Sequence, residues 1–464
     1  MRLMLAGTGS GCGKTTCALA LMGAARARGL VVAPFKSGPD YIDPGFHRAV
    51  CARPSHNLDQ HLTAPDGIFQ ILTLGMKGAD IGVIEGAMGY YDGRAGTDVG
   101  AGADGAGIGA GTAAGADCAG IGAGTAAGAD CAGEREAAYP CSAYALARAT
   151  GTPVILVVDG AGSAASAAAV ALGFDRMVPR SGLCGVLVNR ASSRAHYEAI
   201  KRAVERVSGL ACVGYMPRDA RLNLHSRHLG LIPASEVETL ADTLALAAQL
   251  IEIDWPLVEK LARGARAIEA QPPDFGHALR GYRLGVARDA AFDFLYEANL
   301  EVLRHMGAQP VFFSPLDDRA LPEGIDGLYL PGGFPEVFEE RLMGNREMCA
   351  SVNARLSAGL SCYAECGGLL YLAMIGFLPL EVRMTPKLQR FGYVQVEDAS
   401  GLRAPAHEFH HSLVVEKAPI PTAFTVRKGE KTWRCGYQKE NTLAGYPHLH
   451  FWSHPEWVER LWRQ

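Results

Sequence analysis

The chain has 464 residues, 48% hydrophobic and 20% charged, with a net charge of −4; this is a globular composition with room for two or three domains. The charge gives no basis for binding nucleic acid or an anionic membrane surface, and no uncharged apolar run is long enough to span a bilayer. Twelve scattered cysteines, with no Cys-x-x-Cys pair and no export signal in Met1–Ala6, are expected to be reduced thiols in the cytoplasm.

Leu3-Met-Leu5 reads as a buried strand, and Cys17–Met22 as a helix. Between them Ala6-Gly-Thr-Gly-Ser-Gly-Cys-Gly-Lys-Thr-Thr16 is a glycine loop. Gly11 and Gly13 let backbone N–H groups turn toward phosphate, and the helix N-terminus adds positive charge. Lys14 can reach the terminal phosphates, the Thr15 hydroxyl can bind Mg²⁺, and Thr16 follows in the same turn. Thr8 stands where the strict phosphate-loop pattern has glycine.

The second strand, 30–35, ends in Lys36-Ser-Gly-Pro-Asp-Tyr-Ile-Asp-Pro44. It brings Lys36, Asp40 and Asp43 to the ligand-binding edge of an open sheet, where the carboxylates could hold Mg²⁺, position a substrate, or simply make turns. A third apolar strand, 81–84, runs into Glu85, where a further metal-coordinating carboxylate belongs. Asp92 follows in a glycine-rich loop. Residues 106–118 then recur unchanged as 119–131. So much Gly and Ala cannot offset its ordering entropy, so 94–138 is expected to be a disordered surface insertion. Regular alternation resumes with strands at 153–158, 185–189 and 211–217 and helices at 143–149, 196–207 and 236–253, predicting a parallel sheet covered by helices. Asn189, at a strand end, could read a nucleotide base.

Residues 256–281 read as a linker between a first domain, 1–255, and a second α/β domain, 282–464. The second domain opens with a strand at 283–287, a helix at 294–306 and strands at 310–314 and 327–331. Its chemistry centres on Leu360-Ser-Cys-Tyr-Ala-Glu-Cys-Gly-Gly368. A strand, an elbow and a helix would present Cys366 as a nucleophile, with the helix end lowering its pKa. Gly332, Gly333 and Gly367 could form an oxyanion hole. Tyr446-Pro-His-Leu-His-Phe451 supplies His448 and His450, of which one could face Cys366. His407, Glu408 and His410 lie on an expected strand, either lining the site or at the surface.

Together these stretches resemble the cobyrinic acid a,c-diamide synthases, glutamine-dependent amidotransferases of corrinoid biosynthesis. The matching segments are 6–16, 35–44, 84–93, 288–299, 331–336, 363–368, 384–393, 408–410 and 448–451. The resemblance implies a dethiobiotin-synthetase-like ATP-dependent ligase domain joined to a class I glutamine amidotransferase domain. It further implies ATP and Mg²⁺ as cofactors, and a corrinoid carboxylate and L-glutamine as substrates. By position Cys366 matches the glutaminase nucleophile and His448 its base, while Asp40, Asp43, Glu85 and Asp92 match acidic ligase positions. His450 stands where class I enzymes carry the Glu of their triad, which leaves the third member open. The family's Gly-Ser-Thr-Ala is Cys141-Ser-Ala-Tyr144 here. The choice among cobyrinic acid, hydrogenobyrinic acid and a nickel-sirohydrochlorin stays open, and so does a homodimer. The competing class, a P-loop partner ATPase with an inactive glutaminase-like domain, is weakened by Gly9, which replaces that group's extra lysine.

Overall fold

The computed structural model describes residues 1–93, 139–222 and 237–462. The tandem repeat and its expected disorder lie outside them. On either side of it, Gly93 and Pro140 come together: a Cβ on Gly93 would stand 2.3 Å from the Pro140 carbonyl oxygen.

Eight strands build the first sheet: β1 Arg2–Gly7, β2 Val32–Ser37, β3 His56–Leu58, β4 Ile81–Glu85, β5 Val154–Asp159, β6 Leu183–Ala191, β7 Ala211–Pro217 and β8 Glu252–Ile253. Their order is β3-β2-β4-β1-β5-β6-β7-β8, parallel throughout except for β8. β1 and β4 are buried along their whole length, as strands covered on both faces must be. Register then decides where the chemistry goes. Leu5 and Lys36 both pair with Glu85, so the carboxyl ends of β1, β2 and β4 lie side by side at the ligand edge.

Two details depart from expectation. The helix expected at 236–253 stops at Leu250, and Glu252–Ile253 pairs with β7 instead. The cause is Gly214, whose φ of +149° and missing side chain admit the β8 backbone; a Cβ there would lie 2.1 Å from Glu252 O. The expected linker 256–281 begins inside a helix, Trp255–Arg263, capped by Asp254 accepting from Leu257 N at 3.1 Å. Its Val258 and Ala262 are buried in the core of the first sheet.

The second sheet comprises β9 Arg283–Ala287, β10 Gln309–Phe313, β11 Gly327–Leu330, β12 Ser361–Glu365, β14 Arg390–Asp398, β15 Arg403–His410, β17 Thr422–Lys428, β18 Lys431–Lys439, β19 Thr442–Gly445 and β20 His448–Leu449. A side hairpin pairs β13 Leu380–Met384 with β16 Ser412–Glu416. The order is β10-β9-β11-β12-β19-β18-β17-β14-β15-β20, parallel from β10 to β19 and antiparallel beyond. Only Tyr446 and Pro447 separate β19, in mid-sheet, from β20 at its end. Three residue steps span at most about 10 Å, so the antiparallel half must curl back toward β12. The curl brings His448 to the end of the strand that carries Cys366.

The two sheets share one continuous apolar cluster. Polar contacts join them as well: Tyr393 Oη donates to Asp59 at 2.6 Å, Trp452 Nε1 to Gln70 at 2.9 Å and Tyr296 Oη to Pro39 O at 3.1 Å. No helix among the described residues is long and apolar enough to cross a membrane.

Candidate active site

The phosphate loop takes the conformation its glycines permit. Gly11 and Gly13 have φ of +80° and +83°, and Gly13 caps the helix Lys14–Ala27. Lys14 donates to Glu85 Oε1 at 3.2 Å and Thr15 Oγ1 to the same oxygen at 2.6 Å; Thr16 is half-buried in the same turn. Asn189 is where the expectation of a base-reading residue fails to find support. It is buried, and its Nδ2 donates to Cys12 O at 2.8 Å, against Gly13, where a Cβ would collide with it. Asn189 thus holds the loop from β6.

Glu85 gathers the other partners. Lys36 donates to it at 3.0 Å, and His47 Nε2 stands 2.8 Å from its second oxygen. His47, absent from the sequence reading, lies on the helix Asp43–Cys51 and is oriented by Ser55 at 2.9 Å. Lys36 also pairs with Asp43, in the first turn of that helix, and lies 3.6 Å from Asp40. Burial would lift Glu85, but Lys36, Lys14 and His47 outweigh it and hold the carboxyl well below its usual range. Burial likewise opposes the charge on Lys36, and Asp43, Glu85 and Asp40 reverse that. Asp43 is pushed well above its usual range by burial and by repulsion from Asp40 and Glu85. Asp92 is exposed, closing the turn after β4 by accepting from Gly89 N at 2.9 Å, against Gly9 of the phosphate loop.

Between Asp40 and Asp43 stands Tyr41, which the sequence reading passed over. Its ring stacks on His448 at 4.4 Å and on Phe294 at 5.0 Å, and its hydroxyl lies 3.2 Å from His407 Nδ1. One loop therefore lends carboxylates to the phosphate site and an aromatic ring to the glutaminase histidine.

Cys366 has φ 43° and ψ −98°, a conformation strained for a residue with a side chain, and it caps the helix Gly367–Met374. Tight approaches hold the elbow. A Cβ on Gly367 would come within 2.7 Å of Gly333 N, and one on Gly368 within 2.3 Å of Leu330 O. The Gly333 backbone thus packs directly on Gly367. The expected thiolate is not favoured in this state. Burial, then Glu336, Glu408 and Glu365, push the thiol above its ordinary value against the Gly367 N–H. Its sulfur has Phe409 O as hydrogen-bond partner, at 4.0 Å, and no bond to His448.

His448 is buried, and burial lowers its pKa to about 3, so the imidazole is neutral and able to accept a proton. Its Nδ1 lies 3.7 Å from Glu365 Oε2, while Nε2 has no hydrogen-bond partner. Glu365, immediately before the nucleophile, is fixed by Leu449 N at 3.0 Å and Tyr329 Oη at 2.9 Å. His450 is buried against Tyr296, ring centroids 5.1 Å apart. The carboxylate beside His448 therefore comes from the end of β12 and not from the +2 position, which His450 holds.

Residues 3–232 match the CobQ/CobB/MinD/ParA nucleotide binding domain, and residues 283–456 the CobB/CobQ-like glutamine amidotransferase domain. Over 486 aligned positions the chain is 35% identical to the cobyrinate a,c-diamide synthase of Fusobacterium nucleatum, covering 99% of each. It is 37% identical to that of Listeria innocua (98% of this chain, 97% of the relative) and 36% identical to that of Salmonella typhimurium (98% and 96%). The chain belongs to the cobyrinate a,c-diamide synthase family. The expected fold class holds: a P-loop α/β unit followed by a glutamine amidotransferase unit. Membership makes the chain a nucleotide-binding enzyme with an amidotransferase domain, and it removes the partner-ATPase reading, since the relatives match both halves.

Proposed function

We propose that this protein amidates the a and c acetate side chains of cobyrinate, using ATP to activate each carboxylate and glutamine to supply each nitrogen. The observation that carries the coupling of the two chemistries is Tyr41, stacked on His448 from the loop that holds Asp40 and Asp43.

The carboxylate takes the γ-phosphoryl of ATP to give an acyl phosphate and ADP. Gly11, Gly13 and the N–H groups at the head of the helix Lys14–Ala27 cradle the phosphates, and Lys14 follows the migrating charge. Thr15, Asp40 and Glu85 offer only oxygen donors, and Glu85 keeps its charge, which suits a hard cation; bound there, Mg²⁺ would neutralise phosphate charge. Cys366 gives its proton to His448 and attacks the glutamine amide carbon. His448 returns the proton to the departing ammonia, leaving a glutamyl thioester that water cleaves to glutamate. Ammonia, released beside Tyr41, attacks the acyl phosphate and displaces phosphate. Glu365 holds the His448 ring with Nδ1 protonated and Nε2 free for the thiol.

Incubation of the purified enzyme with ATP, glutamine and a panel of cobyrinate, hydrogenobyrinate and nickel-sirohydrochlorin tests the reading. The expected product is the a,c-diamide of cobyrinate, with one ATP and one glutamine consumed per amide. Turnover of another macrocycle in its place would overturn the substrate assignment.

Glu365 has its own signature. Replacing Glu365 with Gln keeps the shape and, through its amide oxygen, the bond from Leu449 N. It puts an NH₂ in place of the oxygen that faces Tyr329 and His448 and removes the charge that would stand beside imidazolium. Glutamine-dependent kcat should fall by roughly 10²- to 10⁴-fold with KM nearly unchanged. A fall in KM-controlled binding alone would show that Glu365 does not act through His448.

A further inference from the structure

We propose that Glu408 seats the α-ammonium group of the glutamine donor, so that the pocket accepts an α-amino acid and not any primary amide. The inference deepens the proposed function and rests on it.

Glu408 lies on β15 with none of its surface exposed, and no hydrogen bond reaches either carboxylate oxygen. A cation, Arg390, comes no closer than 3.9 Å, and its guanidinium is stacked over the Trp433 ring at 3.8 Å. Burying a carboxylate without donors is costly, and such a group in a native fold calls for an explanation. Burial holds Glu408 up at about 7, against the distant Arg390 pair, the N–H of the Trp433 indole and Lys428.

Its surroundings place it at the nucleophile. The next residue, Phe409, gives its carbonyl to Cys366 Sγ, and the charge of Glu408 is among those that raise the thiol. His410, on the same face of the strand, stacks on Tyr446 at 3.7 Å with the rings 10° from parallel. Directly opposite Glu408 on β14 is Gly392, which has no side chain of its own; the Lys428 ammonium from β17 lies on that side, 3.4 Å from where a Gly392 Cβ would stand. The pocket therefore has a sulfur at one point and, near it, a buried anion with vacant acceptors. A glutamine side-chain amide at Cys366 leaves an α-ammonium two methylenes away, with three N–H donors for those acceptors.

Three proteins and two donors test this: wild type, Glu408→Gln and Glu336→Gln, each assayed for ammonia release from L-glutamine and from 4-carbamoylbutanoate, the same amide without the α-amino group. Glu336 is the control, a second carboxylate that raises the thiol but is half-buried. Wild type should prefer glutamine by roughly 100-fold in kcat/KM. Glu408→Gln should raise KM for glutamine by about that factor, hold kcat within about threefold, and leave the deamino analogue unaffected. Amidation driven by ammonium salt reports that the variant is folded, and Glu408→Asp should recover part of the preference. Equal use of both donors by wild type overturns the proposal, as does an equal loss on both donors in Glu408→Gln or a preference that collapses in Glu336→Gln instead. Failure of wild type to release ammonia from glutamine at all would instead sink the amidotransferase reading beneath it.

Discussion

Cys366→Ala should abolish glutamine-dependent amidation, by on the order of 10⁴-fold or more, while amidation driven by a high concentration of ammonium salt at mildly alkaline pH survives. The nucleophile and the phosphate loop belong to different sheets: Cys366 follows β12 of the second, Lys14 follows β1 of the first. Free NH₃ needs only the acyl phosphate. Alanine should be a mild substitution for folding, because it brings the same Cβ as cysteine to the strained φ of 43° and the elbow is held by Gly333, Gly367 and Gly368 rather than by the sulfur. His448→Ala should lose nearly as much. A helix end alone favours a thiolate, but burial and the carboxylates of Glu336, Glu408 and Glu365 keep the proton on the sulfur, so a base is required. His450→Ala, which removes a ring packed on Tyr296, should be milder for glutamine turnover. Product formed from each donor is the measurement. Persistent use of glutamine by Cys366→Ala would move the nucleophile elsewhere, and loss of ammonia-dependent turnover in folded protein would give Cys366 a second role.

The parts that were legible in the sequence are local ones. A glycine loop between strand and helix, and a Cys-Gly-Gly elbow, each need only about ten consecutive residues to declare themselves. What escaped depends on the tertiary path. Glu365 was in plain view beside Cys366, yet its role follows from β20 pairing with β15 instead of continuing beyond β19, which swings His448 over the end of β12. Tyr41 reads as one more aromatic in an acidic loop until the second sheet packs on it. Asn189 sits at a strand end, where a ligand contact is a fair expectation, but the loop before Lys14 passes close enough to take its hydrogen bond first. Glu408, balanced between pocket and surface in the sequence, is buried because β14 and β17 extend the sheet around it. The thiol is the instructive reversal: a helix N-terminus acts within one turn, and burial with three nearby carboxylates exceeds it.

Lys14→Ala separates the two half-reactions from the other side. Diamide formation should fall by roughly 10³-fold or more, since Lys14 is the mobile cation of the phosphate loop and phosphoryl transfer depends on charge placed where it develops. Folding should survive. Lys14 is one of four groups on Glu85, and Lys36, Thr15 and His47 remain to compensate that buried carboxylate. Glutamine hydrolysis should persist at a measurable rate, because nothing in the Cys366–His448–Glu365 cluster touches Lys14. The connection between the sites runs through Tyr41, whose loop is tied to Glu85 by Lys36 and not by Lys14. Ammonia release and diamide product, followed in the same reaction with folding checked by circular dichroism, give the two rates. If both fall together, the glutaminase answers to an occupied phosphate site, and Lys36→Met, which cuts the tie between Glu85 and the Tyr41 loop, should then reproduce the loss of hydrolysis; if hydrolysis alone persists, the sites run independently and Tyr41 transmits geometry without control.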